Sequence, residues 1–95
     1  MKIRSLFPEV DFENEEFEYK AKLENDKQSE KWGKTLVGYA NENGGEMFVG
    51  VSNDGEAFGL SFEEIDKYRQ QIYRENDRRI IPHIKIDIQV KSVDS

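Results

Sequence analysis

Six carboxylates, Glu9, Asp11, Glu13, Glu15, Glu16 and Glu18, fall within ten residues that carry no base, and Lys20 is the first base to follow them. Carboxylate oxygens hold divalent cations, and a metal that polarises a phosphate beside a lysine is a common arrangement for hydrolysing a phosphodiester. The same spacing also suits a solvated strand face in which Glu18 and Lys20 form an ion pair. A second chemistry comes from the bases. At about 100° per residue, Lys27, Lys31 and Lys34 line one side of a helix, opposite Trp32, Leu36 and Tyr39, and Lys67, Arg74 and Arg78 line another helix in the same way. Each stripe, with Lys20, offers contacts to a phosphate backbone, or else a soluble helix face of the kind that the pairs Glu63 with Lys67 and Glu75 with Arg79 support.

Other candidates carry less. A phosphate cradle needs glycines opening onto a helix N-terminus and a Gly-Lys-Ser/Thr sequence. Gly44 and Gly45 instead follow a helix, where carbonyls and the negative end of the dipole repel phosphate, so they read as a helix stop. His83 is the single histidine and no cysteine is present, which leaves no nitrogen or sulfur ligand set and no thiol nucleophile. Trp32 offers a ring for base stacking, but its place beside Leu36 and Tyr39 marks it as core.

The elements that must position these residues follow from periodicity. Phe17, Tyr19, Ala21 and Leu23 alternate with charged residues, which predicts a strand. A helix starts near Gln28 or Ser29 and ends at Asn43-Gly44-Gly45. Met47 to Val51 reads as a buried strand, Ser52-Asn53-Asp54-Gly55 as a turn, and Ala57 to Leu60 as the returning hairpin partner. Ser61 and Glu64 form a capping box for a second helix with an apolar stripe of Phe62, Ile65, Tyr68 and Ile72. Ile84, Ile86, Ile88 and Val90 alternate with Lys85, Asp87, Gln89 and Lys91, which predicts a last strand. The fold class is α+β, a mixed sheet with two helices on one face in the order β-α-β-β-α-β.

Composition bounds the answer. Ninety-five residues with a net charge of −6, 36% hydrophobic and 36% charged, suffice for one two-layer core, with residues 1–12 as an N-terminal extension. The acidic balance excludes a histone-like polycation but not a local basic face. No apolar run is long enough to span a bilayer and no signal-peptide core follows Met1-Lys2-Ile3-Arg4, so a cytoplasmic location without membrane contact is expected.

Glu13-x4-Glu18-x-Lys20, Tyr39-Ala40-Asn41-Glu42-Asn43-Gly44-Gly45, Met47 through Gly55 and Gly59-Leu60 together resemble the Schlafen-type AlbA-like domain. That module occurs in bacterial transcriptional regulators, helicase-related proteins and animal Schlafen proteins. The resemblance runs from about Glu13 to Val90, and family members usually continue with at least one more strand, so the chain reads as a truncated domain with further domains expected beyond it. It implies a nucleic-acid-binding module of a transcriptional regulator or helicase-related protein, with DNA or RNA as partner; the two short basic stripes in an acidic chain make that binding weak and salt-dependent. Some Schlafen members resemble metal-dependent ribonucleases. Carried across, that pattern places its two acids at Glu13 and Glu18 and its base at Lys20. The third acid falls where this chain has Ser52, Asn53 and Asp54. Glu18-Tyr19-Lys20 is also the short Glu-x-Lys signature of restriction-like nucleases. The alternative function is therefore a Mg²⁺- or Mn²⁺-dependent endonuclease using Glu13, Glu18, Lys20 and Asp54, with Glu13, Glu18 and Asp54 on the metal. A protein-interaction or dimerisation module is the third reading. It rests on the last strand, whose unpaired edge favours a homodimer through Ile84 to Val93.

Overall fold

In the computed structural model, residues 1–24, 29–78 and 84–92 are described, apart from the side chains of residues 29, 30 and 78. The elements are α1 (Ile3–Leu6), β1 (Glu16–Lys20), α2 (Ser29–Asn41), β2 (Gly45–Val49) and α3 (Phe62–Arg78). Strands β1 and β2 pair in parallel, Glu16 beside Gly45 through Lys20 beside Val49. The class is thus α+β. Among the described residues none of the helices is long and apolar enough to cross a membrane.

Strand alternation sorts the sheet into two faces. Phe17, Tyr19, Glu46 and Phe48 share one of them, and residues 1–12 cover it. Phe12 meets Phe17 edge-on at 5.1 Å between centroids and stacks on Phe48 at 5.5 Å, while Phe7 tilts against Phe48 at 5.2 Å. Ile3, only 3% exposed, completes a core with Phe48, Val51 and Ala57. Backbone bonds tie this N-terminal segment to the 52–57 turn, Ile3 N–H to the Gly55 carbonyl at 2.8 Å and Ala57 N–H to the Met1 carbonyl at 2.9 Å. Residues 1–12 are accordingly part of the core packing.

The opposite face carries Glu16, Glu18, Lys20, Met47 and Val49, and α2 lies against it. Gly45 permits the approach, because a Cβ there would land on the Tyr39 ring. The helix stops as the sequence predicts: Gly44 takes φ +90° and its N–H returns to the Tyr39 carbonyl at 2.8 Å. The capping box forms as well, Ser61 N–H to Glu64 Oε1 at 3.0 Å and Glu64 N–H to Ser61 Oγ at 3.1 Å.

The helix α1 lies in a stretch for which the sequence predicts no element, and two expectations are corrected. The hairpin partner at Ala57 to Leu60 shrinks to a single antiparallel bridge between Val51 and Ala57. Gly50 and Gly59 take φ +84° and +87°, and the Gly50 carbonyl accepts from the Phe58 N–H at 3.0 Å. The last strand does not form. Ile84, Ile86 and Ile88 are half-buried while Lys85, Asp87 and Gln89 are exposed, as the alternation requires, yet among the described residues 84–92 make no backbone pair. Side chains pin the two ends instead. Asn76 donates to the Ile84 carbonyl at 3.1 Å and accepts from its N–H at 3.4 Å. Lys91 Nζ donates to the Leu6 carbonyl at 2.7 Å and to Glu9 at 2.8 Å, and lies 4.4 Å from the Phe7 ring centre. Between this segment, β2, α2 and α3 remains an apolar groove of about 500 Å³.

Candidate nucleic-acid interface

The chain leaves β1 through Ala21, Lys22 and buried Leu23 to Glu24, and Glu24 is where the two long helices meet. Its carbonyl accepts from Trp32 Nε1 of α2 at 2.8 Å and from Gln71 Nε2 of α3 at 2.5 Å. Both donors are nearly inaccessible, Trp32 at 1% and Gln71 at 2% exposure, so each needs a partner and this one carbonyl serves both. The Glu24 carboxylate in turn takes Lys20 Nζ at 2.9 Å. Burial pushes its pKa up, but the bond to Lys20 and the nearby Lys22 outweigh that and hold the carboxyl below its usual range.

This junction orders the bases. Lys31 and Lys34 are exposed on α2, Lys31 next in sequence to Trp32. On α3, Lys67 and Arg74 are exposed one turn before and one turn after Gln71, and helical spacing places them on the side from which Gln71 reaches Glu24. On α2 the two lysines lie on the side opposite Trp32, so the α3 bases are on the joint's side of their helix and the α2 bases on the outer side of theirs. Lys20 stands apart from them, half-buried and paired with Glu24. Lys27 lies outside the described residues, as does the side chain of Arg78. Sequence reasoning omitted Lys22 and Arg69, both exposed. Lys22 follows a strand and sits in no helical stripe, and Arg69 falls off the stripe through Lys67 and Arg74, so helical spacing marks neither.

The acids are arranged differently. Glu13 is exposed in a turn capped by Asp11, whose carboxylate accepts from the backbone N–H groups of Glu13 and Asn14, both at 3.3 Å. Glu18 is exposed on β1 near Tyr39, whose hydroxyl pKa is raised first by burial and then by the charges of Glu18 and Glu16. Asp54 serves its own turn. It accepts from Ser52 Oγ and from Glu56 N–H, the latter at 3.3 Å, and its carboxyl is held below the usual range first by Ser52 and then by that amide and Lys2. Among the described residues no three acids or histidines are grouped so as to hold a metal, so Glu13, Glu18 and Asp54 do not come together as a cation cage. A different acidic contact exists: Glu46 on β2 has its pKa raised by burial first, then by Glu15, Glu9 and Asp87. One oxygen of Glu15 is buried with no hydrogen-bond donor.

Trp32 is core, as its spacing predicts. His83 lies outside the described residues. Gly44 and Gly45 follow the end of α2.

No curated protein and no solved structure matches the chain. The family model described as Schlafen, AlbA_2 matches residues 13–95, which are nearly all of the sequence, and the chain belongs to that family.

Proposed function

We propose that the protein is a nucleic-acid-binding module that engages phosphates through the faces of α2 and α3 joined at Glu24, within a regulator or helicase-related protein. The observation that carries this reading is the shared carbonyl. Because Trp32 and Gln71 converge on it, the two helices that carry Lys31, Lys34, Lys67 and Arg74 are tied to one point of the chain by buried side chains. Family membership supports a nucleic-acid-related role. The charges are few in a chain of net charge −6, so binding is weak, sequence-tolerant and lost as salt rises.

The test is fluorescence anisotropy with labelled tRNA, single-stranded DNA and duplex DNA over a salt series, with and without Mg²⁺ or Mn²⁺. Micromolar binding that falls with salt is expected. Cleavage that needs the metal and is abolished by Glu18→Gln would establish the nuclease reading in its place.

A further inference from the structure

The segment from Ile84 to Val90 has the side-chain alternation of a strand and no backbone partner among the described residues. In an extended chain successive residues point their N–H and C=O groups to opposite edges. Asn76 of α3 takes both backbone groups of Ile84, so the groups of Ile86 and Ile88 are directed to that same edge. Those of Lys85, Asp87 and Gln89 are directed to the other, where nothing described satisfies them.

Two strands can complete that edge, and charge distinguishes them. The chain's own β2 presents Glu46, which already feels Asp87, Glu15 and Glu9 as like charges, so closing the segment onto β2 brings acid toward acid. A second copy of the segment, related by a two-fold axis through Ile86, does the reverse. Antiparallel pairing centred there sets Lys85 opposite Asp87 of the second copy and Asp87 opposite its Lys85, both as hydrogen-bonded pairs. Ile84 then faces Ile88 of the second copy, and the two Ile86 side chains meet in the closer, non-hydrogen-bonded site.

We infer that residues 84–89 are a homodimerisation strand whose register is set by reciprocal Lys85–Asp87 pairs about Ile86. Other registers lose this match. Shifting the axis by two residues to Ile88 sets Lys85 against Lys91 of the second copy and Asp87 against its Gln89, which by symmetry is two repulsive and two neutral pairings in place of two attractive ones. The pairing also extends the apolar row of Ile84, Ile86 and Ile88 across both copies, so the two grooves become one continuous layer. This inference is independent of nucleic-acid binding.

Sedimentation velocity on the full chain, from micromolar to millimolar, reads the outcome. Wild type is expected to dimerise with rising concentration. Lys85→Glu and Asp87→Lys, each exposed and each converting two attractive pairs to repulsive ones, are expected to weaken the dimer at least about tenfold. An equal mixture of these two variants restores a heterodimer, because the charges are again complementary. The double exchange Lys85→Asp with Asp87→Lys restores the homodimer. A wild-type monomer at millimolar concentration overturns the inference, and so does a dimer indifferent to the single reversals. Amide exchange on wild type gives a reading free of any variant. Protection at Lys85 and Asp87 that grows with protein concentration supports pairing between copies, whereas protection independent of concentration shows pairing to the chain's own β2 and overturns it.

Discussion

Gly45 and Gly38 make a matched pair of residues at which the packing account can be checked. Alanine at Gly45 places a methyl group in the Tyr39 ring and forces α2 away from β2, with an expected loss of about 1–3 kcal/mol. Alanine at Gly38, a helical position with nothing within 4 Å, is expected to add about 0.5–1 kcal/mol. Urea denaturation of both variants reads the two signs. Glu46 sets a pH dependence. Its folded-state pKa is raised, so the stability linked to its proton is fully present below the ordinary carboxylate range and is lost as pH rises through the folded value. Glu9 and Glu56 act oppositely. Bonded to Lys91 and to the N-terminal amine respectively, they are held low and contribute stability above the ordinary range that is lost in acid. Glu46→Gln is therefore expected to raise the melting temperature at neutral pH and to leave it nearly unchanged in mild acid. An equal gain at both pH values contradicts the assignment.

Among the elements, α3 is oriented by its first turn and by Gln71. Ser61→Ala removes one half of the capping box and is expected to cost about 1 kcal/mol. Gln71→Met keeps the length but withdraws the second donor from the Glu24 carbonyl, at an expected cost of about 0.5–1.5 kcal/mol. The second variant also loosens the joint between the two helices that carry the bases, so its nucleic-acid affinity is expected to fall although no charge has changed; Ser61→Ala is expected to leave affinity intact. Anisotropy beside a urea melt separates the two effects. Helix ends were legible in the sequence because Gly44, Ser61 and Glu64 act locally. The side-chain alternation of residues 84–90 was legible for the same reason and is present in the burial. Whether such a segment pairs depends on partners remote in sequence, here Asn76, Lys91 and Glu46, which no local pattern records. A four-residue helix leaves too short a period to detect, so α1 was invisible, and the covering role of Phe7 and Phe12 depends on Phe48 about forty residues away. At the candidate site the exposed bases of α2 and α3 were legible from helical spacing. The capture of Lys20 by Glu24 was not, since it depends on how the chain turns after β1.

For the whole molecule, an acidic chain carries exposed bases on two helices that share the Glu24 carbonyl, and nucleic-acid binding through those bases is the central claim. It is tested most directly by anisotropy on wild type, the charge reversal Lys31→Glu with Lys34→Glu, and the reversal Lys67→Glu with Arg74→Glu, over a salt series. The account expects micromolar wild-type binding that weakens with salt, a loss of about tenfold or more from either reversal, and the same loss for every nucleic-acid sequence tried. Binding that ignores salt, or that survives both reversals unchanged, contradicts it.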